Sequence, residues 1–128
     1  MIVVDTSVWI VALRSRGSRE AAILSGLLDA DEVALPTPVR TEMLSGASMR
    51  ERAGLKKALT ALPILYPTDE TWRLIDRWTE TTSRVGQHFG VGDLLVAAVC
   101  AEAGGLLWSL DSDFARLARL KLVDLYDP

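Results

Sequence analysis

The sequence predicts an α/β fold: a three-layer α/β/α sandwich around a short, mostly parallel sheet of about four to five strands, carried by one domain spanning residues 1–128. Three observations predict it. Ile2, Val3 and Val4 form an unalternated β-branched run bounded by polar residues, the pattern of a strand buried on both faces in a parallel sheet. Short apolar runs of this kind alternate with longer segments of helical periodicity along the chain. No repeat, linker or low-complexity tract interrupts the alternation.

Composition narrows the class further. With 49% hydrophobic residues the chain is globular and neither disordered nor fibrous. No apolar run approaches the ~18 residues of a membrane span. No basic stretch followed by a long apolar one opens the chain, so a cytoplasmic location without membrane attachment is expected. Cys100 has no partner cysteine and His88 is the one histidine, which excludes a disulfide framework and a structural zinc cluster. A net charge of -3 supplies no general attraction for nucleic acid. It leaves room for an enzyme that bridges phosphate to its own carboxylates through metal ions.

Taken in order, the first strand runs into Asp5, Thr6 and Ser7, and Val8 to Leu13 forms a first helix. Ser18 caps a second helix reaching about Ala30, with Leu24, Leu27 and Leu28 on its buried face. Val33 to Leu35 is a second strand, ended by Pro36. Thr37-Pro38 has the cap-then-proline signature of a third helix, which carries Glu42 one turn in and stops near Gly46. Met49 to Leu62 is a fourth helix with an apolar stripe of Leu55, Ala58, Leu59 and Leu62. A short strand follows, Ile64 to Tyr66.

Asp69 and Glu70 then open a long fifth helix, favoured there by the macrodipole, with Trp72, Ile75 and Trp78 read as core. A glycine-bearing loop, Arg84 to Gly92, leads to Asp93 at the head of an apolar helix, Leu94 to Ala103, which Gly104-Gly105 terminates. Leu106 to Trp108 is a strand. Ser109 to Asp113 follows it, then a short helix from Phe114 to Leu120 and a last strand, Leu122 to Leu125.

Four acids stand at related places in this scheme. Asp5 follows the first strand, Glu42 lies early in the helix after the second, Asp93 heads a helix, and Asp111 follows the fourth strand with Ser109 two residues before it. Open parallel sheets build their sites beyond the carboxyl ends of their strands. Each acid alone is accounted for as a cap or a solvated side chain. Together they would crowd negative charge into one pocket, which demands protonation or a hard divalent cation with oxygen ligands.

The segments Val3-Val4-Asp5-Thr6-Ser7, Thr41-Glu42-Met43-Leu44-Ser45-Gly46, Gly92-Asp93-Leu94-Leu95-Val96-Ala97-Ala98 and Trp108-Ser109-Leu110-Asp111-Ser112-Asp113-Phe114 resemble the four motifs of PIN-domain ribonucleases. The length and the order of the motifs are similar to those of VapC toxins of bacterial toxin–antitoxin pairs, over essentially the whole chain. The resemblance implies an endoribonuclease dependent on Mg²⁺ or Mn²⁺, usually a homodimer, restrained by a VapB-type antitoxin and acting on tRNA or ribosomal RNA. By motif match, Asp5, Glu42, Asp93 and Asp111 are the acidic quartet and metal ligands, with Thr6 and Ser109 as supporting hydroxyls. Ser109 stands where the family commonly has threonine, and Asp113 is a possible substitute for Asp111 as the fourth acid. The antitoxin segment is expected against the apolar early helix of Val8, Trp9, Val11 and Leu13.

The resemblance implies in-line attack of an activated water on an RNA phosphodiester, with Glu42 or Asp111 orienting the water. No histidine base is required, and His88 reads as a solvated loop residue. Arg14, Arg16, Arg40, Arg84, Arg116 and Arg119 are candidate phosphate contacts. A receiver-type signalling module also places acids at strand ends. It needs an acidic pair after the first strand and a late lysine after a strand, and neither is present. A haloacid-dehalogenase-type phosphatase needs an aspartate where Ser7 stands. A PIN fold that only binds RNA or protein is the remaining alternative.

Overall fold

The structure, a computed structural model, describes residues 1–128. Its elements in chain order are β1 (Ile2–Val4), α1 (Thr6–Arg14), α2 (Arg19–Asp29), β2 (Val33–Pro36), α3 (Thr37–Gly46), α4 (Met49–Thr60), β3 (Ile64–Leu65), α5 (Asp69–Arg84), α6 (Val91–Glu102), β4 (Leu106–Trp108) and α7 (Ser112–Arg119). The four strands lie in the order β3-β2-β1-β4, and every pairing is parallel. β1 sits inside the sheet, with Ile2 opposite both Val33 and Leu106 and Val4 opposite Trp108. All three of its residues are buried, as expected of an unalternated β-branched run covered by helices on both faces.

From β1 the chain steps outward to β2 and β3, then returns to place β4 on the other side of β1. The strand order therefore reverses between β1 and β4. Crevices beyond the carboxyl ends of the strands at such a reversal are where open α/β sheets hold ligands. Asp5 ends β1 and Ser109 follows β4, so both flank this crevice. The Asp5 amide donates to the Trp108 carbonyl at 2.9 Å and extends the ladder to its edge.

Several boundaries depart from the sequence reading. The expected fifth strand, Leu122 to Leu125, is reduced to a single parallel bridge between Leu107 and Leu125. Leu107 alone exchanges hydrogen bonds there, with Asp124 and Tyr126. β4 is only three residues long and its chain turns away at Ser109, so no further backbone groups remain for a ladder. β3 stops before Tyr66, which is exposed and followed by a proline without an N–H.

Trp72 is 47% exposed and is no part of the core. The buried stripe of α5 is Thr71, Ile75, Trp78 and Thr82, spaced by four, three and four residues. Trp72 lies about 100° around the helix from Thr71, outside that stripe. Helix α6 begins at Val91, three residues before the expected Leu94, with Gly90 as its cap. Phe89 and Leu94, the flanking positions that staple a helix start, are both buried. At its other end Gly104 takes the left-handed conformation, φ 68°, and its amide donates to Ala101.

Candidate metal and nuclease site

Helix α1 starts directly off β1 because Asp5 caps it. The Asp5 carboxylate accepts from the Ser7 amide at 3.4 Å and from the Ser7 hydroxyl at 2.8 Å. The Ser109 hydroxyl, arriving from β4, donates to the same oxygen at 2.8 Å. Ser109 Oγ in turn accepts the Asp111 amide at 3.0 Å, and Ser7 Oγ accepts the Leu110 amide at 3.0 Å. Two serines thus lace the ends of β1 and β4 around one buried carboxylate. Ser109, expected as a supporting hydroxyl, is one of these two serines. Ser7 is the second such hydroxyl, in the place expected of Thr6. Its signal lies in the sequence: a serine two residues after a capping aspartate points its hydroxyl back at the cap. The Thr6 hydroxyl is buried without a hydrogen-bond partner of ordinary geometry, and it lies beside Glu42.

Asp111 caps α7 by accepting the Asp113 amide at 2.9 Å. That places Asp113 in the first turn, and with Asp93 from the first turn of α6 the two complete a group of three. Single carboxylate oxygens of Asp93, Asp111 and Asp113 all lie within 4.8 Å of one another. Asp93 feels the crowding. Its pKa is pushed up to about 6, first by burial and then by the carboxylates of Asp111, Asp113 and Asp5.

The expected quartet is therefore not a single cluster. Asp93, Asp111 and Asp113 form the close group. Asp5 adjoins it, and Glu42 adjoins Asp5 from the other side. The Glu42 pKa is raised by partial burial and then by Asp5, with the Thr6 hydroxyl pulling it back down. The strand order explains the spread. Glu42 belongs to the helix after β2 and Asp111 follows β4, so they come to the site from opposite sides of β1. Asp111 and Asp113 are alternatives in sequence; in the structure both face Asp93.

A divalent ion suits these donors. All are hard oxygens, and Mg²⁺ coordinated at about 2.1 Å needs neighbouring oxygens about 3 Å apart and opposite ones about 4 Å apart. A group spanning 4.8 Å reaches that with small side-chain rotations. Crowding that raises a carboxyl pKa is also what a cation relieves.

A groove of about 720 Å³ opens on the Glu42 side, between α1, α3 and α4. Its walls include Ile10, Leu13, Met43 and Leu55, with Arg14 and Arg16 at the rim. Of the expected Val8, Trp9, Val11 and Leu13, only Leu13 lines it: Val8 and Trp9 turn into the core, Val11 is not in the wall, and Ile10 faces out beside Leu13. Among the six candidate arginines, Arg116 is already engaged by Asp113.

A parallel α/β sheet with carboxylates gathered at its strand-order reversal defines a class of acid-site domains. Comparison with known proteins narrows it. The PIN domain family profile matches residues 2–120. The chain is 30% identical over 125 residues to the VapC ribonuclease Mb1587 of Mycobacterium bovis, covering 94% of this chain and 93% of that protein. Among solved structures, VapBC2 of Rickettsia felis bound to a promoter DNA fragment superposes with a TM-score of 0.78 at 18% identity, covering 98% of each chain. VapBC-5 of Mycobacterium tuberculosis, a member of the VapBC family of toxin–antitoxin systems, is 25% identical with a TM-score of 0.65, over 98% of this chain and 97% of that one. The chain belongs to the PIN-domain family, on the branch of the VapC ribonucleases. That membership sets aside the receiver-type reading.

Proposed function

We propose that this protein is a divalent-metal-dependent endoribonuclease toxin of a VapBC-type pair. The observation that carries the proposal is the close group of Asp93, Asp111 and Asp113 beside Asp5, at the strand-order reversal of a PIN fold. The relatives named VapC ribonuclease supply the reaction class.

In this reading Asp93, Asp111, Asp113 and Asp5 hold Mg²⁺ or Mn²⁺, with Glu42 at the margin. Such an ion lowers the pKa of water and neutralises charge on the phosphoryl oxygens. The chain's own groups do the rest. Ser7 and Ser109 hold Asp5 in one orientation and fix the strand ends that deliver the acids. Glu42, beside Asp5, orients the attacking water through its carboxylate. The Thr6 hydroxyl, having no other partner, orients Glu42. Arg14 and Arg16 lie along the groove from Glu42 and meet flanking phosphates of a single-stranded RNA segment. An unpaired loop of tRNA or ribosomal RNA can be splayed into this crevice, whereas a stiff duplex cannot.

The partner is a VapB-type antitoxin, whose segment fills the groove of Ile10, Leu13, Met43 and Leu55 next to Glu42. A homodimer is part of the same reading. No helix is long and apolar enough to cross a membrane.

The test is cleavage of total RNA by purified protein. Activity present with Mg²⁺ or Mn²⁺, lost in chelator and restored by the ion, and absent from Asp93→Asn and Asp111→Asn, is the expected result. Cleavage undiminished in chelator or in both variants refutes it. Folded protein that binds RNA without cutting it at any metal concentration identifies a non-catalytic PIN domain instead.

A further inference from the structure

Arg116 lies one turn into α7 and makes two contacts. Its Nη1 donates to Asp113 Oδ1 at 2.9 Å. Its guanidinium carbon stands 4.3 Å from the centre of the Phe89 ring, a cation–π geometry. Phe89 is 5% exposed and immediately precedes Gly90, the cap of α6. One side chain therefore ties the first turn of α7, which carries Asp113, to the start of the helix that carries Asp93. The ion pair is half-buried on both sides, so it is screened less than a surface pair.

The contacts also decide how many oxygens the acids can offer. Asp113 Oδ1 is committed to Arg116. Asp111 Oδ1 is committed to the Asp113 amide. Each carboxylate keeps one oxygen that accepts from no N–H donor, and that oxygen is the readier ligand. Cations differ in what they need here. Mg²⁺ takes single oxygens and waters in near-octahedral geometry, while Ca²⁺ takes ~6–8 oxygens and often both from one carboxylate.

We infer that Arg116 is a positioning residue that sets the cation selectivity of the site: by holding one oxygen of Asp113, it presents that side chain as a single-oxygen ligand and favours Mg²⁺ or Mn²⁺ over Ca²⁺. The inference rests on the metal-site reading above. It also separates Arg116 from Arg14 and Arg16, which are paired with no carboxylate. The charge of Arg116 is taken up by Asp113.

Arg116→Met tests this, because methionine keeps an apolar stem against the Phe89 ring while releasing Asp113. Deleting a positive charge strengthens binding of every divalent cation alike. The ratio of Ca²⁺ to Mn²⁺ affinity cancels that effect and isolates the geometry. Titration calorimetry of the full chain with Mn²⁺ and with Ca²⁺ should show the ratio rising about tenfold in Arg116→Met, the scale of effect seen when a group orienting a metal ligand is removed. Arg116→Lys keeps a charged donor without the stacked plane and should fall between; it carries the test if the methionine variant does not fold. An unchanged ratio, with Mn²⁺ bound normally by the wild type, overturns the role given to Arg116. A wild type that binds no Mn²⁺ overturns the metal-site reading itself and the inference with it.

Discussion

Replacing Asp93 by Asn should stabilise the metal-free protein, and the size of the gain follows from the crowding around it. Burial and the carboxylates of Asp111, Asp113 and Asp5 push the Asp93 pKa up from 3.8 to about 6. The folded state therefore holds this proton more tightly than the unfolded state does. Below about pH 4 both states are protonated and Asp93 costs nothing. Between about pH 4 and 6 the unfolded chain ionises first, and stability falls as pH rises. Above about pH 6 the full penalty applies. A rise of that size corresponds to roughly 3 kcal/mol, but Asp93 is partly exposed and solvent screening reduces this to about 1–2 kcal/mol. Thermal unfolding in chelator should then place Asp93→Asn roughly 3–8 °C above wild type at pH 7.5. The difference should vanish at pH 4, and Mn²⁺ should narrow it by stabilising the wild type alone. A variant no more stable than wild type at pH 7.5 in chelator would falsify the claim that Asp93 is held under electrostatic strain.

The other acids and the groove give different expectations. Asp5→Asn should lose about 1–2 kcal/mol in chelator, because Asp5 is a satisfied cap that accepts from Ser7 and Ser109, and a neutral acceptor weakens those bonds; urea unfolding measures it, and a gain in stability would contradict the cap role. Ser109→Ala should lose about 1 kcal/mol by the same measurement, since one hydroxyl serves both Asp5 and the Asp111 amide, and no loss would show the lacing to be slack. Leu13→Asp should weaken antitoxin binding at least tenfold in calorimetry, because Leu13 is exposed in the groove and would place a charge against the apolar segment that fills it; unchanged affinity would move the antitoxin elsewhere.

What the sequence displays and what it hides divide along physical lines. β1 and β2 are legible because each is a short apolar run with no alternation, and burial on both faces produces that pattern directly. The cap of α2 is legible because Ser18 must satisfy the Ala21 amide from a local position. The start of α6 is not, because it is set by Phe89 and Leu94 reaching a core assembled from other elements. Trp72 misleads for a related reason. A spacing of three repeated twice drifts around the helix, and only tertiary packing decides whether Thr71 or Trp72 faces inward. The pairing of Arg116 with both Asp113 and Phe89 joins residues of two helices, and no local spacing announces it.

The site itself has the same division. Asp5 and Asp111 are helix caps first: each accepts a backbone amide two residues on, so their orientation is fixed by the helices they start. Asp93 and Asp113 are first-turn residues with no such local duty, and they occupy the mouth between those caps. Two acids are thus rigid because folding requires them there, while Asp93 is placed against the repulsion of its neighbours. Asp93 is the member of this pair whose pKa is pushed up by its neighbours, and Asp113 is the member braced from outside, by Arg116 on Phe89. A cation entering between Asp93, Asp111 and Asp113 would relieve the crowding on Asp93 while leaning on a cap. On the metal-site reading, a bound ion would bridge the starts of α6 and α7 beside β1, whose ladder to β4 is already extended by the Asp5 amide.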